Sequence, residues 1–114
     1  MHEMSIAQNI LEIIQDHIHE EDAPNVRSIK IRIGELAGVV HDSLTFCFST
    51  MVSGTPLQKA TLDIVTIPVT AHCNACGKEN RLEYGVFVCS LCNSFDIRIM
   101  TGSELNVVEI ELDD

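Results

Sequence analysis

The sequence is poor in aromatic residues and in positive charge. Its 114 residues include no tryptophan, aromatic residues make up 4%, and seven Lys and Arg stand against 17 Asp and Glu, for a formal net charge of −10. General nucleic-acid binding depends on contacts of Lys and Arg with phosphates, so this charge balance makes the chain a poor general binder of nucleic acids. Few aromatic side chains also limit the core of a small domain, so we expect a second source of stability.

Long apolar segments are missing as well. No run approaches the roughly 18 apolar residues that a membrane span requires. Residues 1–9 lack the basic and apolar regions of a secretory signal. We therefore expect a soluble, cytoplasmic protein with no membrane segment.

Five cysteines remain, and an odd number in a reducing compartment argues against a disulfide framework. Four of them form two C-x-x-C pairs, Cys73 with Cys76 and Cys89 with Cys92, and 12 residues separate the pairs. That length suits a short hairpin that brings the pairs face to face. Four thiolates with no open position predict a structural tetrahedral Zn²⁺ site. A rubredoxin-like iron site and a redox dithiol pair stay open as alternatives.

The residues around the cysteines add two predictions. Gly77 and Asn93 directly follow the two pairs, and both residue types tolerate the positive φ that a tight metal-binding turn commonly needs. Cys47 stands alone between apolar neighbours, so we interpret it as a buried small hydrophobe. No signature of a neighbouring base marks it as a nucleophile.

Hydrophobic periodicity predicts an α+β fold. The prediction is a small mixed three-stranded sheet with two helices, into which a Cys₄ zinc-ribbon-like β module is inserted. The helices are predicted over residues 5–21 and about 42–52, the second capped by Asp42 or Ser43. The strands are predicted over 28–33, 62–69 (interrupted at Pro68) and 104–112. The predicted domains are 1–69 with 100–114, and the inserted 70–99.

The N-terminus offers a second set of metal ligands. The Met1 amine, the amide nitrogen between residues 1 and 2, and imidazole Nδ1 of His2 can form two adjacent chelate rings on one metal. Deprotonating an amide requires a metal that favours planar nitrogen coordination, which means Ni²⁺ or Cu²⁺ rather than Zn²⁺. Glu3 can add a carboxylate or orient the imidazole. From the residues alone, a frayed and solvated terminal His is the favoured interpretation.

Several motifs together resemble one family over essentially the whole chain. In order they are Met1–Ser5 (MHEMS), Ile33–Val39 (IGELAGV), the two C-x-x-C pairs and Thr101–Leu105 (TGSEL). The combination resembles the HypA family of hydrogenase/urease nickel-incorporation proteins.

The resemblance implies a metallochaperone that is not an enzyme. Its nickel domain would be 1–69 with 100–114, binding Ni²⁺ through Met1, His2 and Glu3. The zinc domain would be 70–99, holding Zn²⁺ with Cys73, Cys76, Cys89 and Cys92. The implied partners are a HypB-type GTPase, the precursor of the [NiFe]-hydrogenase large subunit and urease maturation proteins. A homodimer is a further expectation.

Two departures from the family pattern are small. Asn93 stands where a glycine is usual, and Ser90 stands where a proline is common. The alternative functions are a zinc-ribbon module that binds nucleic acid or protein, and a rubredoxin-like iron electron carrier. Residues 70–99 carry three basic and three acidic side chains and no basic stripe, which disfavours nucleic-acid binding.

Overall fold

The computed structural model describes residues 3–83 and 85–113. In chain order the elements are α1 (Glu3–His17), a short 3₁₀ helix (Glu20–Asn25), β1 (Val26–Gly34), α2 (His41–Val52), β2 (Thr61–Ile67), β3 (Thr70–Cys73), β4 (Glu79–Arg81), β5 (Ile97–Thr101) and β6 (Leu105–Leu112). Two helices, a three-stranded sheet and a four-cysteine module confirm the predicted α+β fold class.

The first sheet has the strand order β2-β1-β6. The N–H of Gly34, at the end of β1, donates to the carbonyl of Glu104, just before β6, so these strands are antiparallel. The N–H of Glu35 donates to the carbonyl of Ile67, which joins the carboxyl ends of β1 and β2 and makes that pair parallel. The sheet is therefore mixed, as predicted.

The chain divides into two compact units, and the first contains residues 1–31, 38–65 and 106–114. Helices α1 and α2 bury apolar residues at spacings of three and four, as an amphipathic helix requires. The buried helical residues are Ile6, Ala7, Ile10 and Ile14 in α1, and Leu44, Cys47, Phe48 and Val52 in α2. The burial of Cys47 confirms its interpretation as a core residue.

Helix α1 starts and ends earlier than the predicted range of 5–21. It spans Glu3–His17, and a 3₁₀ helix that contains Pro24 follows it. Proline disfavours the α conformation of the residue before it and clashes with the carbonyl of residue 20, so no α-helix runs through Pro24, and residues 20–25 adopt the 3₁₀ helix instead. The predicted cap of α2 was also wrong: the N-cap is Val40, with no capping bond from its own side chain.

The second unit contains residues 32–37 and 66–105. Its sheet has the order β4-β3-β5, with both outer strands antiparallel to β3. A small buried cluster of Val69, Ala71 and Leu82, with Leu36 and Ile97 packed against it, forms its core. This unit contains more residues than the predicted inserted domain of 70–99. The assignment of a nickel domain and a zinc domain stays a prediction. Within the described part of the chain, no helix has the length and apolar character needed to cross a bilayer.

Candidate metal centre

The four paired cysteines lie together in the second unit. Their Sγ atoms are all within 4.8 Å of one another. Cys73 and Cys89 are buried, whereas Cys76 and Cys92 are exposed. Each pair therefore contributes one buried and one exposed cysteine to the cluster.

Residues 73–78 form the first knuckle, which is built at the end of β3. The N–H of Cys73 donates to the carbonyl of Lys78 at 3.0 Å, and the N–H of Gly77 donates back to the carbonyl of Cys73 at 2.8 Å. The N–H of Cys76 lies 3.4 Å from Sγ of Cys73. Gly77 has φ +74°, the left-handed conformation that glycine adopts without strain.

Residues 89–94 form the second knuckle, which repeats this hydrogen-bond pattern. The N–H of Cys89 donates to the carbonyl of Ser94, and the N–H of Asn93 donates to the carbonyl of Cys89, both at 2.9 Å. The N–H of Leu91 lies 3.4 Å from Sγ of Cys89. Asn93 has φ +64°, which confirms the prediction of positive φ at both turn positions.

The spacing of the sulfurs fits a tetrahedral ion. Zn–S bonds of about 2.3 Å in a tetrahedron place sulfurs roughly 3.8 Å apart. Sγ of Cys73 is 3.6 Å from Sγ of Cys92, and Sγ of Cys76 is 3.8 Å from Sγ of Cys89. All four cysteines are free thiols, so this donor set can hold one tetrahedral metal ion.

The knuckle amides favour thiolates at the first cysteine of each pair. A hydrogen bond from the N–H of Cys76 is the largest effect on Cys73, and it holds the pKa of that thiol below its ordinary value. At Cys89, burial is the largest effect and raises the pKa, but hydrogen bonds that include one from the N–H of Leu91 outweigh it and lower the pKa to about 7. The lowered pKa of Cys73 and Cys89 favours the thiolate form, which is the form that binds a metal cation.

Cys92 shows the opposite behaviour. The N–H of Ser94 is its largest single influence and lowers the pKa, but the neighbouring sulfurs, Cys73 first among them, together with burial raise it to about 12. Clustered thiolates repel one another, so one thiol keeps its proton when no cation is present. A divalent ion removes that repulsion, so binding it requires release of the proton.

Two hydrogen bonds join the first knuckle to the residue before β5. The side-chain amide of Asn74 donates to Asp96 Oδ1 at 3.1 Å, and the backbone N–H of Asn74 donates to the carbonyl of Asp96 at 2.9 Å. Asp96 directly precedes β5, so the residue between the first two cysteines is tied to the chain that follows the second pair. Sequence reasoning missed this pair, because nothing in the spacing of 22 residues marks it.

Of the predicted nickel residues, Met1 and His2 lie outside the described residues, and Glu3 is the first residue of α1. The Glu3 carboxylate accepts hydrogen bonds from the N–H of Val40 at 3.4 Å and from Oγ of Ser43 at 3.3 Å. Both donors belong to the start of α2, where the N-cap residue provides no capping bond of its own. Glu3 therefore caps α2 from another element, a role that sequence reasoning missed.

The remaining histidines are spread over several elements. Nδ1 of His17 lies 2.8 Å from the carbonyl of Ile13, which places it at the end of α1. His41 is the first residue of α2, and His72 lies in β3 directly before Cys73. Among the described residues, the four cysteines form the one cluster of three or more metal-ligating side chains.

Comparison with known proteins links this chain to one group. The family described as "Hydrogenase/urease nickel incorporation, metallochaperone" and designated HypA matches residues 1–112. A hydrogenase maturation factor HypA of Desulfosudis oleivorans is 42% identical over 113 residues, which cover 98% of each chain.

Solved structures share the fold. One HypA solution structure matches with a TM-score of 0.67 and 27% identity, and covers 98% of this chain and 96% of the other. The solution structure of the Ni metallochaperone HypA from Helicobacter pylori matches with a TM-score of 0.64 over 98% of this chain and 97% of the other. At 24% identity, this second likeness concerns the fold alone.

Proposed function

This chain belongs to the HypA family of nickel-incorporation metallochaperones for hydrogenase and urease maturation, and from this premise we propose that it is a nickel carrier. It binds Ni²⁺ at its N-terminus and delivers the ion to the precursor of the [NiFe]-hydrogenase large subunit. The observation that carries the proposal is the family match over residues 1–112, which includes the predicted nickel residues.

The proposed nickel site comprises Met1, His2 and Glu3, in which the ligands are the Met1 amine, the backbone amide and Nδ1 of His2. Ni²⁺ favours planar nitrogen donors, which this terminal set provides. The hydrogen bonds from Val40 and Ser43 to the Glu3 carboxylate support a positioning role for Glu3, because they tie the residue next to His2 to α2. We propose that Glu3 fixes the direction of the terminus while the nitrogen atoms bind the ion.

The four-cysteine centre is proposed to hold Zn²⁺ as a structural ion. Four sulfurs at tetrahedral spacing leave no open position for exchange of a cargo ion, which supports separate sites for the two metals. Zn²⁺ would stabilise the second unit, whose hydrophobic core is small. The proposed domains are the nickel domain, 1–69 with 100–114, and the zinc domain, 70–99.

The proposed setting is the cytoplasm, and the proposed partners are a HypB-type GTPase, urease maturation proteins and a second copy of the chain. The carrier is proposed to have no catalytic turnover of its own. The acidic side chains support a cation carrier: residues 1–69 hold nine acids and four bases, and residues 100–114 hold five acids and no base.

Nickel titration of the zinc-loaded protein tests the terminal site. We expect His2→Ala to weaken Ni²⁺ binding at least about tenfold, which corresponds to about 1.4 kcal/mol, because it removes an imidazole ligand. Calorimetry with a native Met1 amine is the measurement. His19→Ala, a histidine outside the terminal set, is the matched control and should leave the affinity unchanged.

A second arm acetylates the Met1 amine. Acetylation removes that nitrogen as a ligand and creates no new terminal chelate, so it should weaken binding as strongly as His2→Ala does. Parental affinity in both altered proteins would refute the terminal nickel site, whatever the state of the zinc centre.

A further inference from the structure

The side chain of Asn80 reaches from β4 to the second knuckle. Its Oδ1 accepts a hydrogen bond from the N–H of Ser90 at 3.0 Å and another from Oγ of Ser90 at 2.9 Å. Ser90 lies between Cys89 and Cys92, so Asn80 contacts the turn that carries half of the sulfur donors. No sequence spacing marked Asn80 as part of the centre.

The other end of the Asn80 side chain faces the first knuckle and its strand. Nδ2 lies 3.5 Å from the carbonyl of Ala71 and 3.5 Å from that of Lys78. Lys78 closes the first knuckle by accepting from Cys73, and Ala71 is the residue paired with Asn80 in the sheet. One amide group therefore spans both knuckles.

We propose that Asn80 is a positioning residue that holds the second knuckle in ligating geometry through Ser90. The proposal rests on the four-cysteine metal site of the proposed function. In a free second knuckle, Cys89 and Cys92 would have to be ordered when the ion binds, at a cost in conformational entropy. The Asn80 bridge orders the turn in advance, so the metal is held more tightly and released more slowly.

The bridge depends on the hydrogen-bond donors of residue 90. Serine donates two hydrogen bonds to Asn80, one from its N–H and one from its hydroxyl. Proline has neither donor, so Ser90→Pro removes both bonds and leaves the cysteines unchanged. Ser90→Ala removes the hydroxyl and keeps the N–H, which makes it the intermediate variant.

Competition with a chelator on the full-length, zinc-loaded protein measures the effect. Loss of a group that orients metal ligands typically weakens metal binding about 10–100-fold, and we expect Asn80→Ala and Ser90→Pro each to weaken Zn²⁺ binding about tenfold. Ser90→Ala should fall between them and the parent. Asn106→Ala, the same change on β6, is the control and should bind as the parent does.

Thiol alkylation resolved by mass spectrometry separates positioning from general destabilisation. In zinc-loaded Asn80→Ala, Cys89 and Cys92 should become reactive about tenfold faster relative to Cys73 and Cys76 than in the parent. A merely structural role would accelerate all four cysteines by one factor. Equal acceleration, or none, overturns the proposal.

The double variant Asn80→Ala with Ser90→Pro provides a second criterion, the additivity of the two losses in Zn²⁺ affinity. If both residues act through the same bridge, the double variant should bind Zn²⁺ within about twofold of the weaker single variant. A hundredfold loss, the product of two independent effects, refutes the bridge. A parent that binds no Zn²⁺ refutes the proposed zinc site itself, and is therefore distinguishable from a failure of Asn80 alone.

Discussion

Glu3 lies between the proposed nickel ligand His2 and the start of α2. It directly follows the proposed nickel ligand His2, and its carboxylate accepts hydrogen bonds at the start of α2. A negative charge at a helix N-terminus interacts favourably with the helix dipole and with the unpaired N–H groups there. The residue that follows the proposed nickel ligand is therefore held in place by hydrogen bonds to the start of α2.

Removal of the Glu3 carboxylate should therefore destabilise the first unit. We expect Glu3→Ala to lower the free energy of unfolding by about 1 kcal/mol, as loss of a helix cap does. Glu3→Gln keeps an acceptor oxygen and should lose less. Urea denaturation measures both, with Glu12→Ala, an exposed glutamate on the same helix, as the control; equal losses at residues 3 and 12 would contradict the capping role.

The four thiols differ in their affinity for protons although they lie within one cluster. The pKa of Cys89 is lowered to about 7, whereas that of Cys92 is raised to about 12. At neutral pH the metal-free cluster therefore keeps a proton on Cys92 that a bound metal ion must displace.

Zinc affinity should consequently rise with pH. Each displaced proton contributes about a tenfold gain in affinity for every pH unit. We expect at least this slope between pH 7 and 8 because of Cys92, and a steeper slope below pH 7, where Cys89 is also protonated. Chelator competition at several pH values measures the slope, and a pH-independent affinity from 6 to 8 would exclude a thiolate centre.

At the scale of elements, the end of β1 lies very close to the segment between β5 and β6. A Cβ atom on Gly34 would lie 1.9 Å from the carbonyl oxygen of Gly102. That carbonyl accepts a hydrogen bond from Leu36, and the N–H of Gly34 donates to Glu104. Only glycine at position 34 allows the backbones to approach this closely, which explains this residue in the IGELAGV segment.

Gly34→Ala should accordingly be among the more damaging single substitutions. The added methyl group meets backbone rather than a flexible side chain, so we expect a loss of about 3 kcal/mol, the upper range for overpacking. Gly38→Ala, at φ +71° with nothing within 4 Å of an added Cβ, should cost only about 1 kcal/mol. Thermal and urea unfolding compare the two, and equal losses would refute the close contact.

At the scale of the whole molecule, the two compact units differ in their source of stability. The first buries many large apolar side chains from α1, α2 and β1, among them Ile14, Ile29 and Phe48. The second has a small buried apolar cluster and four clustered cysteines. A structural zinc ion can contribute about 10 kcal/mol or more to folding, which is large compared with such a core.

Removal of the metal should therefore affect the units unequally. We expect a strong chelator to abolish hydrogen-exchange protection in β3, β4 and β5, while the helical circular-dichroism signal of α1 and α2 persists. Hydrogen exchange with mass spectrometry on the full chain gives the first reading, and far-UV circular dichroism gives the second. Re-addition of Zn²⁺ should restore the protection, and simultaneous loss of the helices would show that the ion supports the whole molecule.

The features that could be predicted from the sequence are those that depend on neighbouring residues. The spacing of apolar residues determines the two helices and β1, and the C-x-x-C pairs with Gly77 and Asn93 determine the knuckles, because each pattern acts over a few neighbouring residues. The end of α1 at His17 was missed because the apolar spacing continues to Ile18 and the nearest residue that stops a helix is Pro24.

The sequence by itself determined the fold class, the family and the candidate metal residues. Only the tertiary structure decided which distant groups support those residues: the Glu3 carboxylate at Ser43, 40 residues away, and the Asn80 amide at Ser90, 10 residues away. The physical reason is that such bonds depend on where folding brings polar atoms within hydrogen-bond distance. Neither partner carries a local pattern, so their positions emerge only when helices and strands have packed.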